Sequence, residues 1–197
     1  AQAVRLQLGA DAWWQVPSLL LAWPDDLAIR WIGPLGTALA GALVAGFAPR
    51  VLLPLLYVLY LSVVHAGQVF FSFQWDMLLL EVGLLAIFLP GGSAIVVWLL
   101  RWLCFRFLFL AGIAKLMSGD PNWWGLTALD YHFETQPLPS VLAWYAHHLP
   151  AGVLRAGTAA TLIVEIALPL LAFLPRRPRL LLALCVAVFE GLILLTG

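Results

Sequence analysis

The chain is short of charge. Only 10% of its 197 residues are Asp, Glu, Lys or Arg, and ten acids balance ten bases. Soluble domains carry about 25% charged residues, so this chain has too few to hydrate its own surface. With no net charge it offers no electrostatic handle for nucleic acid, and no such partner is expected. Lysine is almost missing, with Lys115 standing alone among the arginines. Cysteine is scarce too: Cys104 and Cys185 lie inside apolar runs, without C-x-x-C or metal-type spacing. That argues against a thiol–disulfide enzyme or a cysteine-based zinc centre and leaves both as small apolar side chains. No secretory signal pattern opens the chain, and no internal repeat is visible. It starts at Ala1 and stops at Gly197 within an apolar run, so it is expected to belong to something longer.

What the chain has instead is apolar length. It is 63% hydrophobic with ten tryptophans and a mean hydropathy of +0.99. The expected fold is an all-α membrane protein, a bundle of about five or six transmembrane helices, because only helices or closed barrels satisfy the backbone in lipid. Spans are expected at 31–48, 51–73, 75–90 and 94–117, then at 157–174, with a last one from near Leu180. Each approaches the roughly 20 residues that cross a bilayer. Residues 1–30 read as an interfacial segment, with Trp13, Trp14 and Trp23 at headgroup level and Pro24 breaking a helix; 31–197 form the transmembrane domain.

One long polar connection, 118–156, interrupts the spans. Asp120-Pro121 is a helix start, an acidic N-cap followed by proline, so a short helix through NWWGLTAL is expected. The stretch DYHFETQPLP reads as extended, since residues before proline avoid the helical region. Ser140 then caps a second short helix, VLAWYAHHL, which Pro150 and Gly152 end. If Asp130, His132 and Glu134 alternate along an extended strand they share one side. That mixed set is a weak ligand pattern, so no metal and no cofactor is expected, and hydrogen bonding within the loop is the favoured duty. Trp123, Trp124, Trp144 and Tyr145 are read as interfacial anchors rather than a ligand box. The PRRPR cluster, 175–179, is placed on the cytoplasmic side by its arginines, which puts the long loop on the lumenal or extracytoplasmic side.

Charges inside the apolar runs are the second anomaly. Asp76, Glu81, Arg101, Arg106, Lys115 and Glu165 are expected to form an intramembrane charge network, since each buried charge costs about 2.5–3.5 kcal/mol by insertion scales and must face protein or water. On a helix Arg101 and Lys115 share a face while Arg106 points away. Glu81 and Glu165 are the natural counter-charges, with Asp76 and Glu190 in reserve. Two duties stay open: structural pairing, or a site in which Lys115 acts as a base with Glu81 or Glu165.

The run KLMSGDPNWWGLTALDYHFETQPLPSVLAWYAHHLP, with YLSVVHAGQVFFSFQWDMLLLEVGLLAIFLP, WLLRWLCFRFLFLAGIAKL and VEIALPLLAFLPRRPRLLLA in the same order, resembles the lipase maturation factor family. The resemblance implies a multi-pass membrane protein that helps secreted lipases fold and assemble, in the endoplasmic reticulum if the source is eukaryotic. In a bacterium the place would be the inner or plasma membrane. It implies a secreted lipase or other hydrolase as client, with membrane lipids as the other partner. It also points to Asp120, Trp123, Thr127, Asp130, Tyr131, His132, Glu134, Gln136, Pro137 and Pro139 as a client-binding or structural loop. That loop is expected to be tied down through Arg101, Arg106 or Lys115. Animal members carry cysteines where this chain has Asn122 and Ala128, so no loop disulfide forms here. AGIAKL followed by Asp120 and Trp123-Trp124-Gly125 is more distantly similar to the region around the basic lysine of vitamin K-dependent gamma-carboxylase. That keeps an alternative in view, an intramembrane enzyme on lipid or quinone with Lys115 as base. A structural subunit of a membrane assembly is a third reading.

Overall fold

The computed structural model describes residues 2–23 and 25–196. The break expected at Pro24 lies outside the described residues. Every regular element among them is helical, and six helices are long and apolar enough to cross a membrane. They run Asp26–Val44, Pro49–Phe71, Gln74–Gly91, Ala94–Met117, Ala151–Phe173 and Arg176–Thr196. This is an all-α, multi-pass membrane protein. The chain divides into two compact units, Ala1–Leu100 and Arg101–Gly197.

The first unit holds α1 (Gln2–Leu8), α2 (Ala12–Gln15), α3 (Leu19–Ala22), α4 (Asp26–Val44), α5 (Pro49–Gly67) and α6 (Gln74–Ala86). Two buried serines dock the N-terminal segment. Ser18 Oγ donates to the Ser62 carbonyl at 3.1 Å, and Leu19 N–H donates to Ser62 Oγ at 2.9 Å. The α4 helix starts at Asp26, earlier than the expected residue 31, because the Asp25 carboxylate accepts the Leu27 N–H and caps it. Asp76 is buried in α6, and its Oδ1 accepts the Tyr60 hydroxyl at 2.7 Å. Its partner is thus a phenol on α5.

The second unit begins within α7 (Ala94–Met117). Above it lie three short helices, α8 (Pro121–Trp124), α9 (Ala128–Thr135) and α10 (Val141–His147). Then come α11 (Ala151–Leu162), continued by a π turn at Ile163–Ala167 and a 3-10 turn at Leu168–Phe173, and α12 (Arg176–Thr196). The α11 helix follows Pro150 directly, so the polar connection is 118–150 and stops short of 156. The last span also starts earlier than the expected Leu180. Arg176 to Arg179 form the first turn of α12, where Pro178 is tolerated because the first N–H groups of a helix have no intrahelical partner.

The core of this unit is small: Leu108, Ala172 and Leu182, with Phe107, Leu168, Leu171 and Val186 packed around them. Outward-facing Leu184, Val188 and Leu192 are each more than half exposed. In water such a surface would be an aggregation liability. On a span it is the lipid-facing wall, since tails are as apolar as leucine.

Candidate functional site

The polar loop closes over the end of α7 by a chain of small local devices. Gly119 takes φ +79°, the left-handed conformation that ends a helix, just after Met117. Ser118 Oγ donates back to the Lys115 carbonyl at 2.7 Å, and Trp124 Nε1–H donates to the Leu116 carbonyl at 3.0 Å. Both satisfy orphan carbonyls of the last turn. Asp120 Oδ1 accepts the Asn122 N–H at 2.9 Å, so the expected N-cap is present. Thr127 Oγ1 donates to Asn122 Oδ1 at 2.9 Å and closes the α8 turn.

DYHFETQPLP is only half as read from sequence. Asp130 to Thr135 belong to α9, and the chain becomes extended at Gln136, φ −66° and ψ 143°. Proline restricts the residue before it, and its reach ends there. The helix changes which residues share a face. At 100° per residue Asp130 and Glu134 stand together and His132 lies opposite, so the alternating triad does not form. Among the described residues no three His, Cys, Asp or Glu side chains come together to hold a metal ion.

The loop is also tied down at points that the sequence did not suggest. Glu134 Oε1 pairs with His147 Nε2 at 3.3 Å, linking α9 to α10. Gln136 Nε2 donates to the Thr196 carbonyl at 2.7 Å and Ser140 Oγ to the Leu195 carbonyl at 2.6 Å. Ser140 N–H reaches the Thr196 carbonyl at 3.2 Å while its hydroxyl caps α10. The anchor for this part of the loop is the carbonyl end of α12. Pro137 and Pro139 sit in the extended link between these contacts. Asp130 keeps a buried Oδ1 with no hydrogen-bond partner.

Thr158 and Gly157, which sequence reading passed over, seat the other end. Thr158 is fully buried, and its Oγ1 donates to the Leu154 carbonyl and accepts the Leu129 N–H at 3.3 Å. A Cβ on Gly157 would come within 2.7 Å of Leu129 Cδ1. Thr158→Val keeps the shape and deletes the acceptor, leaving a partly buried N–H unpaired. A loss of about 1–3 kcal/mol follows. Thermal unfolding should show it, with faster hydrogen exchange in α9, and Thr158→Ser should restore most of it.

At the base of the loop stands the ion pair. Lys115, in the last turn of α7, donates to both oxygens of Glu165 at 2.6 and 2.7 Å. Glu165 sits in the π turn, a widened turn common at functional positions. Trp123 lies beside the pair, with the Lys115 ammonium 5.6 Å from its ring centroid. Next to them opens a cavity of about 430 Å³, lined among others by Asp120, Tyr131, His132, Phe189 and Ile193. Of the remaining charges, Arg101 and Arg106 are half-buried on α7 and Glu81 is exposed on α6, and each of the three has an interaction partner.

Partial burial, assisted by the Lys115 charge, holds the His132 imidazole below its ordinary 6.5. Below about pH 6.5 the unfolded chain therefore binds a proton that the folded state resists. Stability is full above that pH and falls as pH drops through the window between the two values. The thermal midpoint of the protein should drop more between pH 7.5 and 5.5 than that of His132→Asn.

These features define a class: a multi-pass membrane protein whose helical polar loop is latched over a lysine–glutamate pair near the end of a span. The comparisons name the family. Residues 2–197 match the lipase maturation factor transmembrane domain. Lipase maturation factor 2 of Gallus gallus is 41% identical over 98% of this chain and 30% of its own length. Lipase maturation factor 2 of Xenopus laevis is 46% identical over 73% of the chain and 22% of its own length. Lipase maturation factor 1 of Mus musculus is 37% identical over 96% and 36%. No solved structure matches the chain. The chain belongs to the lipase maturation factor family, and it spans about 30% of the length of the first of these relatives.

Proposed function

We propose that this chain is the membrane core of a maturation factor that helps a secreted lipase fold and assemble, in the endoplasmic reticulum membrane if the source is eukaryotic. The match of residues 2–197 to the family's transmembrane domain carries the reading. The loop supports it. Trp124, Leu138, Val141, Trp144 and Tyr145 are all more than half exposed on the short helices and the link between them. Helix capping and the α12 latch hold these side chains in place, so a client would meet a preorganised surface. The PRRPR arginines, at the opposite end of the last span, support a lumenal or extracytoplasmic loop, on the side where a secreted client folds. The base alternative is not favoured: Lys115 is engaged by both oxygens of the buried Glu165, an arrangement that fits structural pairing.

Deletion of the gene in the source organism tests the reading. Secreted lipase protein should stay near its normal level while its specific activity falls at least several-fold. Normal specific activity in the deletion would sink the maturation role for that client.

A further inference from the structure

The cavity beside Lys115 has a composition that the maturation reading does not use. Its charged lining is Lys115, Glu165 and Asp120, one cation against two anions. The Lys115 ammonium has three N–H groups, and Glu165 takes two of them. Lys115 remains 28% exposed while Glu165 is 7% exposed, so the lysine is the more open member of the pair and has a third donor to offer. Asp120 spends Oδ1 on the Asn122 N–H and lies exposed at the rim. The Trp123 and Tyr131 rings stand with it, and aromatic faces attract cations. The far wall is apolar, from Leu129, Phe189 and Ile193.

Position adds the second argument. Lys115 lies in the last turn of α7 and Ile193 in the last turn of α12, at the ends of two spans where the polar loop begins. Tryptophan and tyrosine concentrate at that depth of a bilayer because it is apolar on one side and wet on the other. An occupant must therefore carry a cation and an anion on one small head and an apolar body behind it.

We infer that this cavity binds one zwitterionic phospholipid, its phosphate on the free N–H of Lys115 and its amine between Asp120 and the Tyr131 ring. The acyl chains leave past Phe189 and Ile193 along α12. A purely anionic headgroup is opposed by the excess carboxylate. A water-soluble phosphoamine makes the polar contacts and loses the apolar wall. This inference does not depend on the maturation role, and its test does not involve a lipase.

The test is calorimetric titration of the detergent-purified full-length protein with three probes: dioctanoyl-phosphatidylethanolamine, dioctanoyl-phosphatidylglycerol and glycerophosphoethanolamine. The first should bind at least tenfold more tightly than either of the others. Ala128→Phe, which puts a ring at a lining position other than the ion pair, should weaken it at least tenfold. Glu165→Gln removes the excess carboxylate and should narrow the preference for phosphatidylethanolamine over phosphatidylglycerol at least threefold, which keeps the test open if Ala128→Phe fails to fold. Equal binding of the two lipids would overturn the inference. So would glycerophosphoethanolamine binding as tightly as the lipid, or an Ala128→Phe protein of unchanged affinity.

Discussion

Lys115→Met should leave little folded protein. Glu165 is 7% exposed and accepts a hydrogen bond from Lys115 on each carboxylate oxygen. Removing the cation strands a carboxylate in a site built for a pair, which costs about 3–5 kcal/mol, a large share of the 5–15 kcal/mol that holds a domain folded. The reverse change is milder. In Glu165→Gln the lysine keeps 28% of its side chain exposed beside an open cavity, so water replaces part of what the carboxylate gave. The double variant Lys115→Met, Glu165→Gln should recover much of the single-lysine loss, because replacing both partners of a buried pair is often neutral. Detergent-solubilised yield and thermal unfolding of the four proteins check the order: wild type and double variant above Glu165→Gln, with Lys115→Met lowest. A Lys115→Met protein as stable as wild type would show that the pair is not structural, and loss of function alone would then return the lysine to the candidate site residues.

The pair itself was legible because charge is so rare in this chain. A lone lysine in the run WLLRWLCFRFLFLAGIAKLM demands a partner, and Glu165 was one of two natural choices. The spans were legible for the same reason, their apolar runs being bounded by proline and glycine. Their starts were less so, because a cap is decided by one side chain: Asp25 moves α4 forward and Pro150 moves α11 forward. The loop misled where a short-range rule was stretched. Proline fixes Gln136 and says nothing about Asp130 to Thr135, whose helix is held by Thr158 and Gly157 on α11, nearly thirty residues away. The α12 latch was equally hidden, since Gln136 and Ser140 bind backbone carbonyls, and a carbonyl has no signature in sequence.

Gly112→Val should be as damaging as loss of the lysine, for a reason that no charge reveals. Gly112 lies on α7 one turn before Lys115, against the π turn that carries Glu165. A Cβ there would stand 2.5 Å from Ile166 Cγ1, 3.0 Å from Glu165 Cβ and 3.3 Å from the Glu165 backbone carbon. The Ile166 tip can rotate away. The Glu165 backbone cannot, since it belongs to the turn that aims the carboxylate at Lys115. Absorbing even an alanine therefore means pushing the π turn off α7 by a few tenths of an ångström, and a branched valine means more. Overpacking of this kind costs about 1–3 kcal/mol, and here the same displacement lengthens two charge-assisted hydrogen bonds. The two losses share one cause, so they should not add independently. Gly112→Val should cost about 3 kcal/mol or more in the wild-type background. In the Lys115→Met, Glu165→Gln background, where the bonds are already gone, only the packing part should remain. Thermal unfolding of the four combinations measures that coupling. Strict additivity would mean that Gly112 serves packing alone and plays no part in setting the reach from Lys115 to Glu165.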